Sequence, residues 1–349
     1  MAHPFLRALG ALNPILLAPM GGGPSTPELV AAVSDAGGFG ILGAPYLSPQ
    51  EIRNAAARIR SLTSRPFGVN LFAGGYRPSL SADPGPMLAV LAPIHARLGL
   101  PPPRAPPLPP DPFPAQLEAV LEARPAAFTF TVGVPPPDAL AALRDRGILT
   151  IGTATTADEA AILARAGVDA VMAQGAEAGG HRGTFAVPFE AAMVDRLELV
   201  RAVSSRVALP VVAAGGIMDG NDLRASLEAG AAGAALGTAF LACPESGAAE
   251  AYKRALLAAR ADRTVVTRAF SGRPARGLEN EFIRSLSGQE AEILPYPLQN
   301  ALTRTMRGAA ARLGDAGYLS LWAGQGVARI RPMPAAELVR LLVEELRQA

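Results

Sequence analysis

The stretch Val211–Thr238, VVAAGGIMDGNDLRASLEAGAAGAALGT, decides the fold. It holds two short apolar runs, Val211–Ala214 and Ala234–Gly237, with a segment of helical length between them. Both runs are apolar throughout, as strands buried on both faces of a parallel sheet must be. Gly215-Gly216 follows the first run, and Gly237-Thr238 closes the second. Six further runs of this kind lie upstream, at Ile15–Pro19, Phe39–Gly43, Phe67–Asn70, Ala127–Thr131, Leu149–Thr153 and Ala170–Gln174. Thr26-Pro27-Glu28, Ser48-Pro49 and Thr156 mark the starts of helices between them, and Gly37-Gly38 and Gly167 mark stops. Eight runs alternating with helices predict an α/β fold, a (β/α)8 TIM barrel, over an open doubly wound sheet. The first run is not followed by G-x-G-x-x-G, which weakens a dinucleotide-binding reading further.

A barrel of about 250 residues leaves part of the 349-residue chain over. Residues 1–259 are therefore expected to form the barrel, and residues 260–349 a mostly helical cap over its mouth. The regular spacing breaks at an insertion of about residues 74–125. Its proline runs, Pro101-Pro102-Pro103 and Pro106 to Pro114, predict a stiff, extended surface excursion and not a helix.

Half of the residues are apolar and 18% are charged, a balance that fits a soluble globular enzyme. The net charge of +2 is too small to argue for nucleic acid. Lys253 is the only lysine, and the arginines that supply the other cations are read mostly as solvated surface residues. Cys243 stands alone, which excludes a disulfide framework and a cysteine-based metal site. His3, His95 and His181 are too scattered for an obvious metal cluster. No run approaches the ~18 apolar residues of a membrane span, and Met1 to Pro14 lacks the pattern of a signal peptide. Cytoplasmic residence, with no membrane partner, is the default expectation.

The active site of such a barrel lies where its strands end. The first run ends in Pro19-Met20-Gly21, the third in Asn70, and the sixth in Gln174. Gln174 leads into Gly175-Ala176-Glu177-Ala178-Gly179-Gly180-His181-Arg182-Gly183. Glycine-rich loops in the seventh and eighth places are the usual phosphate cradle of these barrels, built from backbone N–H groups. A phosphate there, with amides at Asn70 and Gln174, suits a flat, phosphorylated, hydrogen-bonding cofactor such as FMN. His181 differs from His3 and His95, which are read as structural, by its place on a glycine-rich loop at a strand end. Its imidazole is the candidate catalytic base, work worth roughly 10²–10⁴ in rate. Glu177 is a candidate to orient it, or a plain surface glutamate.

These blocks resemble the class I nitronate monooxygenases, formerly called 2-nitropropane dioxygenases. The resemblance runs from Ala18-Pro19-Met20 to Leu321-Trp322-Ala323-Gly324-Gln325-Gly326. Gly175–Gly183, Ala213–Gly220, Arg268–Gly277 and Tyr296–Asn300 are its most specific pieces. It implies non-covalent FMN and oxidation of a small alkyl nitronate, such as propionate 3-nitronate, by O2 to a carbonyl compound and nitrite. The implied catalytic base is His181. Together with the strand ends, it puts the cofactor contacts at Pro19, Met20, Gly21, Asn70, Gln174, Gly179, Gly180, Gly215, Gly216, Leu236, Gly237 and Thr238. Ala235 stands where relatives often carry glutamine, so backbone would replace one side-chain contact to the flavin. Tyr296 or a neighbouring arginine either shapes the substrate pocket or packs the cap. The partners expected are the nitronate and O2, with self-association left open.

Three alternatives stand beside this reading. FMN-containing enoyl reductases share the barrel and a Gly-Gly-His segment, and would depend on NAD(P)H. A flavin-binding protein without turnover would keep the fold alone. A phosphosugar isomerase or synthase would be colourless.

Overall fold

In a computed structural model, described for residues 3–74, 82–107, 110–260 and 263–349, eight parallel strands form one sheet. They are β1 (Ile15–Leu17), β2 (Gly40–Gly43), β3 (Phe67–Phe72), β4 (Ala127–Thr131), β5 (Leu149–Ala154), β6 (Ala170–Gln174), β8 (Val211–Ala214) and β9 (Gly233–Leu236). Their order is β1-β9-β8-β6-β5-β4-β3-β2. The ring closes between its ends, where Leu17 N donates to Phe39 O and Phe39 N to Ile15 O, each at 2.9 Å. All eight expected strands are present. β3 runs two residues beyond Asn70, which carries Phe72 to the mouth of the barrel.

Side chains alternate across this wall with the period of a strand. Ile15 and Leu17 lie in the core between strands and helices, while Leu16 lies in the barrel interior with Phe39, Ile41, Ile151 and Met172. Phe5, Leu6 and Leu9 of the first helix, Pro4–Leu9, join that interior cluster and plug the lower end. His3 caps this helix by accepting from Phe5 N at 3.2 Å, the structural role expected of it.

The barrel helices start as their sequences predict. Thr26, Ser48 and Thr156 each accept a backbone N–H in the first turn of the helices Pro27–Asp35, Pro49–Leu62 and Ala157–Ala166. Ser48 and Glu51 form a reciprocal capping box. The eighth outer position departs from expectation. It is filled by the C-terminal helix, Ala335–Gln348, which packs between the helices Gly220–Glu228 and Pro27–Asp35. Ala335, Leu338, Val339 and Leu342 are buried there, and a leucine buried in this way contributes about 1.5–3 kcal/mol. The helix directly after β9, Glu250–Leu257, packs instead in the second core.

That second core belongs to the cap, and the insertion contributes to it. Met87, Leu91, Ile94 and Leu98, from the helix Gly85–Arg97 and its end, pack with Phe270, Phe282, Leu302 and Met306. The excursion is therefore not confined to the surface. Phe113 and Pro114, expected in the extended proline run, open the helix Phe113–Ala123, where proline in the first turn is tolerated. This helix occupies the outer position between β3 and β4 and packs on the helix Pro49–Leu62. His95 is buried in the inserted part with its Nδ1 2.7 Å from Pro101 O.

A small antiparallel sheet joins barrel to cap. Its strands are β7 (Gly180–His181), β10 (Thr264–Thr267) and β11 (Ala275–Leu278), ordered β10-β11-β7. Among the described residues, no helix is long and apolar enough to cross a membrane.

Candidate active site

The segment after β6 is held from outside by arginines, contrary to the expectation of solvated cations. Arg182 is 1% exposed and donates to the carbonyls of Gln174 and Ala192, each at 3.0 Å, and of Gly175 at 2.5 Å. Burial beside Arg276 drags its guanidinium down to about 10. Arg276 donates from Nε to Ala176 O at 2.9 Å, and Arg273 from Nη2 to Thr184 O at 2.7 Å. A guanidinium carries five donors in a fixed fork, so one side chain satisfies several turned-out carbonyls. On the far side, Glu159 is fully buried. Its carboxylate accepts from Phe185 N at 2.6 Å, Ala186 N at 2.9 Å and Thr155 N at 2.7 Å.

His181 sits on β7, paired with Ala275 of β11, so cap strand pairing fixes what looked like a free loop. Its Nε2 is 2.8 Å from Ser271 Oγ. Ser271 is the imidazole's partner, while Glu177 turns away and accepts from Arg196 N at 3.0 Å. The His181 ring lies between Phe72 and Trp322, with centroids 5.9 and 5.5 Å away. Phe72 also meets Tyr46 edge-on at 5.7 Å and Tyr296 at 6.4 Å. Tyr296 is thus brought to His181 across Phe72, together with Tyr46 and Trp322.

The electrostatics of this aromatic pocket are one-sided. Burial, then the guanidinium groups of Arg273 and Arg307, push His181 down from 6.5 to about 3. The imidazole is therefore neutral at pH 7. Burial brings Arg307 itself down to about 10, still charged at neutral pH. Arg307 Nη2 is held by Asn300, at 2.9 Å to its carbonyl and 2.8 Å to its side-chain oxygen. Among the described residues, neither Arg273 nor Arg307 forms an ion pair with a carboxylate. The Tyr46 hydroxyl is buried without a hydrogen-bond partner there. Two cations outside any ion pair, with the Glu159 carboxylate acting on Arg273 from further off, a neutral imidazole and a free phenol make a site for an anion.

The cofactor positions expected from the strand ends divide into two kinds. Gly215 (φ +119°) and Gly216 (φ +67°) turn in a left-handed conformation that only glycine adopts cheaply. The N–H groups of Gly216, Ile217, Gly237 and Thr238 donate to no partner among the described residues. Open donors after the seventh and eighth barrel strands fit a phosphate. Asn70 points into the barrel, where its Nδ2 donates to Thr129 Oγ1 at 2.8 Å, leaving the amide oxygen to accept. Pro19, Met20 and Gly21 follow β1, and Met20 lies 3.7 Å from where a side chain on Gly237 would begin.

The other positions serve the loops themselves. Gln174 spends its amide internally, donating to His181 O at 3.0 Å and accepting from Gly183 N at 2.8 Å. Gly179 is required by close approach, because a Cβ there would sit 2.6 Å from Gly324 N. Gly180 takes positive φ just before the imidazole. The Leu236 side chain packs in the outer core, so only its backbone faces the mouth, and Ala235 lies in the barrel interior. Thr238 Oγ1 accepts from Gly324 N of the cap at 2.9 Å. The open donors after the seventh and eighth barrel strands and the free Asn70 amide oxygen are thus the positions that fit a flat phosphorylated cofactor.

Sequence reasoning missed Phe72, Tyr46, Glu159, Arg182 and Arg307 as site residues. Phe72 was hidden by the early end assigned to β3. Arg307 sits two helical turns beyond Asn300, on the same face of the helix Leu298–Leu313, and that spacing of seven was the available signal.

Comparison with known proteins agrees along the chain. A family model described as nitronate monooxygenase matches residues 3–345. A nitronate monooxygenase of Pseudomonas aeruginosa is 46% identical, over 99% of this chain and 100% of its own. A solved nitroalkane oxidase from Streptomyces ansochromogenes superposes with a TM-score of 0.91 at 44% identity, covering 98% of each chain. FabK from Thermotoga maritima follows at 0.79 and 30%, covering 100% of this chain and 97% of that one.

Proposed function

The chain belongs to the nitronate monooxygenase family, and on that premise we propose that it uses FMN and O2 to oxidise a small carboxylated nitronate, such as propionate 3-nitronate. The carrying observation is the pair of unpaired guanidinium groups, Arg273 and Arg307, beside a neutral imidazole. A substrate with both a nitronate and a carboxylate supplies two negative charges to match them. The flavin, when bound, supplies the electron-accepting centre and the route to O2.

The remaining work belongs to the chain's own residues. Asn70 and the open N–H groups after β8 and β9 hold the cofactor. Phe72, Trp322 and Tyr296 exclude water from the surroundings of His181 and confine the substrate. Tyr46 donates its unpartnered hydroxyl to one substrate oxygen. Arg273 and Arg307 orient the anion, and it is the substrate's carboxylate, present whether or not the nitro carbon is protonated, that offsets their charge and moves His181 back towards its ordinary range. His181, held through Nε2 by Ser271, is then the base for substrates that arrive as neutral nitroalkanes. A nitronate arrives already deprotonated and asks less of it.

A second reading rests on the Gly179-Gly180-His181 segment shared with enoyl reductases, and would make the protein an NAD(P)H-dependent reductase of that type. One experiment separates the two. The visible spectrum of the purified protein is recorded anaerobically before and after propionate 3-nitronate, and again with NADH. The proposal expects a flavin spectrum bleached by the nitronate and not by NADH. Reduction by NAD(P)H alone would move the protein to the second reading, and absence of flavin even after reconstitution with FMN would defeat both.

A further inference from the structure

The loop after β8 is gripped on its carbonyl side. Arg196 Nη1 donates to Gly215 O, and Arg329 Nη2 to Gly216 O, each at 3.2 Å. Arg196 is 7% exposed and reaches from the helix Arg196–Arg206, while Arg329 comes from the cap, more than a hundred residues along the chain. Arg329 is itself anchored by Asp219 at 2.6 Å and Asp222 at 2.8 Å. Both carboxylates lie in the first turn or cap of the helix Gly220–Glu228.

A peptide group is planar and trans, so a carbonyl and the N–H that follows it point in opposite directions. Fixing Gly215 O and Gly216 O outward on two guanidinium groups therefore fixes the N–H groups of Gly216 and Ile217 the other way. Those are two of the donors that meet no partner among the described residues. Each hydrogen bond to a guanidinium also polarises the peptide it accepts through, which sharpens the donor on its other end. Without the clamps, two glycines at positive φ would be free to turn.

We propose that Arg196 and Arg329 are positioning residues for the phosphate end of the cofactor, acting through the backbone of Gly215 and Gly216 and not by contact. The inference rests on the reading of the cofactor as FMN. It also gives the cap a task besides covering the mouth, because Arg329 orients the phosphate cradle from behind.

The test measures how the full chain, stripped of flavin, binds FMN and riboflavin, which lacks the phosphate. Arg329→Met keeps the apolar stem and removes the clamp from a side chain that is 48% exposed, so folding is little burdened. FMN affinity is expected to fall about tenfold, the scale of one charge-assisted hydrogen bond, with riboflavin affinity unchanged. Arg329→Lys should recover part of the loss. Arg331→Met, which releases only Met218 O and Glu345, should leave the FMN-to-riboflavin ratio as in the wild type. An unchanged FMN affinity in Arg329→Met, or an equal loss for both flavins, overturns the proposal. A wild-type chain that does not prefer FMN to riboflavin overturns the cofactor reading beneath it, and is distinguishable because no variant is involved.

Discussion

Replacing Arg307 by methionine tests the substrate reading most directly. The guanidinium is held by Asn300 and Thr303 of its own helix and has no carboxylate partner among the described residues. Methionine fills a similar volume without charge. A hydrogen bond to a charged group contributes about 1.5–3 kcal/mol, which corresponds to roughly 10- to 150-fold in affinity. The assay is kcat/KM for propionate 3-nitronate and for ethyl nitronate, which has no carboxylate. The carboxylated substrate should lose the full factor, mostly in KM, and ethyl nitronate less than about threefold. Propionate should inhibit the wild type competitively and the variant hardly at all. Thermal stability should hold or rise, because a buried cation without a counter-charge is a burden on the fold. Equal losses on both substrates would refute the reasoning and leave Arg307 as a general brace of the pocket.

Three further outcomes follow from the geometry. His181→Asn should slow oxidation of neutral nitroalkanes by about 10²–10⁴ and that of pre-formed nitronates far less, and equal losses on both would remove the base role. Because His181 folds with its pKa lowered from 6.5 to about 3, the unfolded chain binds more protons between those values. The flavin-free protein should therefore be fully stable above pH 6.5 and lose stability as pH falls through that window, a slope that His181→Asn should flatten in thermal melts. Glu159→Ala strands the buried N–H of Thr155, at about 1–3 kcal/mol, and removes the acceptor of the more exposed N–H groups of Phe185 and Ala186, at less. The variant's melting temperature should drop and amide exchange at Phe185 and Ala186 should quicken; unchanged exchange there would show that the loop does not depend on Glu159.

The barrel was legible because its strands obey local rules. A run such as Ala170–Gln174 is apolar on both faces, and caps such as Thr26, Ser48 and Thr156 act within one turn of their own helix. The eighth helix was not legible from spacing. Glu250–Leu257 follows β9 directly and is amphipathic, so sequence order assigns it to the barrel. Only tertiary packing reveals that Ala335–Gln348 takes that place and that the earlier helix faces the cap core. Likewise, proline in Phe113-Pro114 signals an extended chain or a helix start equally well, and burial of Phe113 and Leu117 selects the helix.

The site divides along the same line. Strand ends placed Asn70, Gly215, Gly216 and Gly237 at the mouth, since a barrel dictates where strands finish. The imidazole was singled out by its place on a glycine-rich loop after a strand, yet its partner lies ninety residues away at Ser271 and its ring neighbours lie on β3 and in the cap. The arginines misled most. A composition almost without lysine makes arginine look like a neutral choice for the surface. Arg182, Arg196 and Arg276 are instead buried against carbonyls, where a lysine's three donors on one atom could not reach the same groups. Their partners are backbone atoms, which carry no residue-type signature. A side chain that recognises backbone is therefore invisible to motif reading, and the clamps behind Gly215 and Gly216 emerge only when each carbonyl of the loop is traced to its donor.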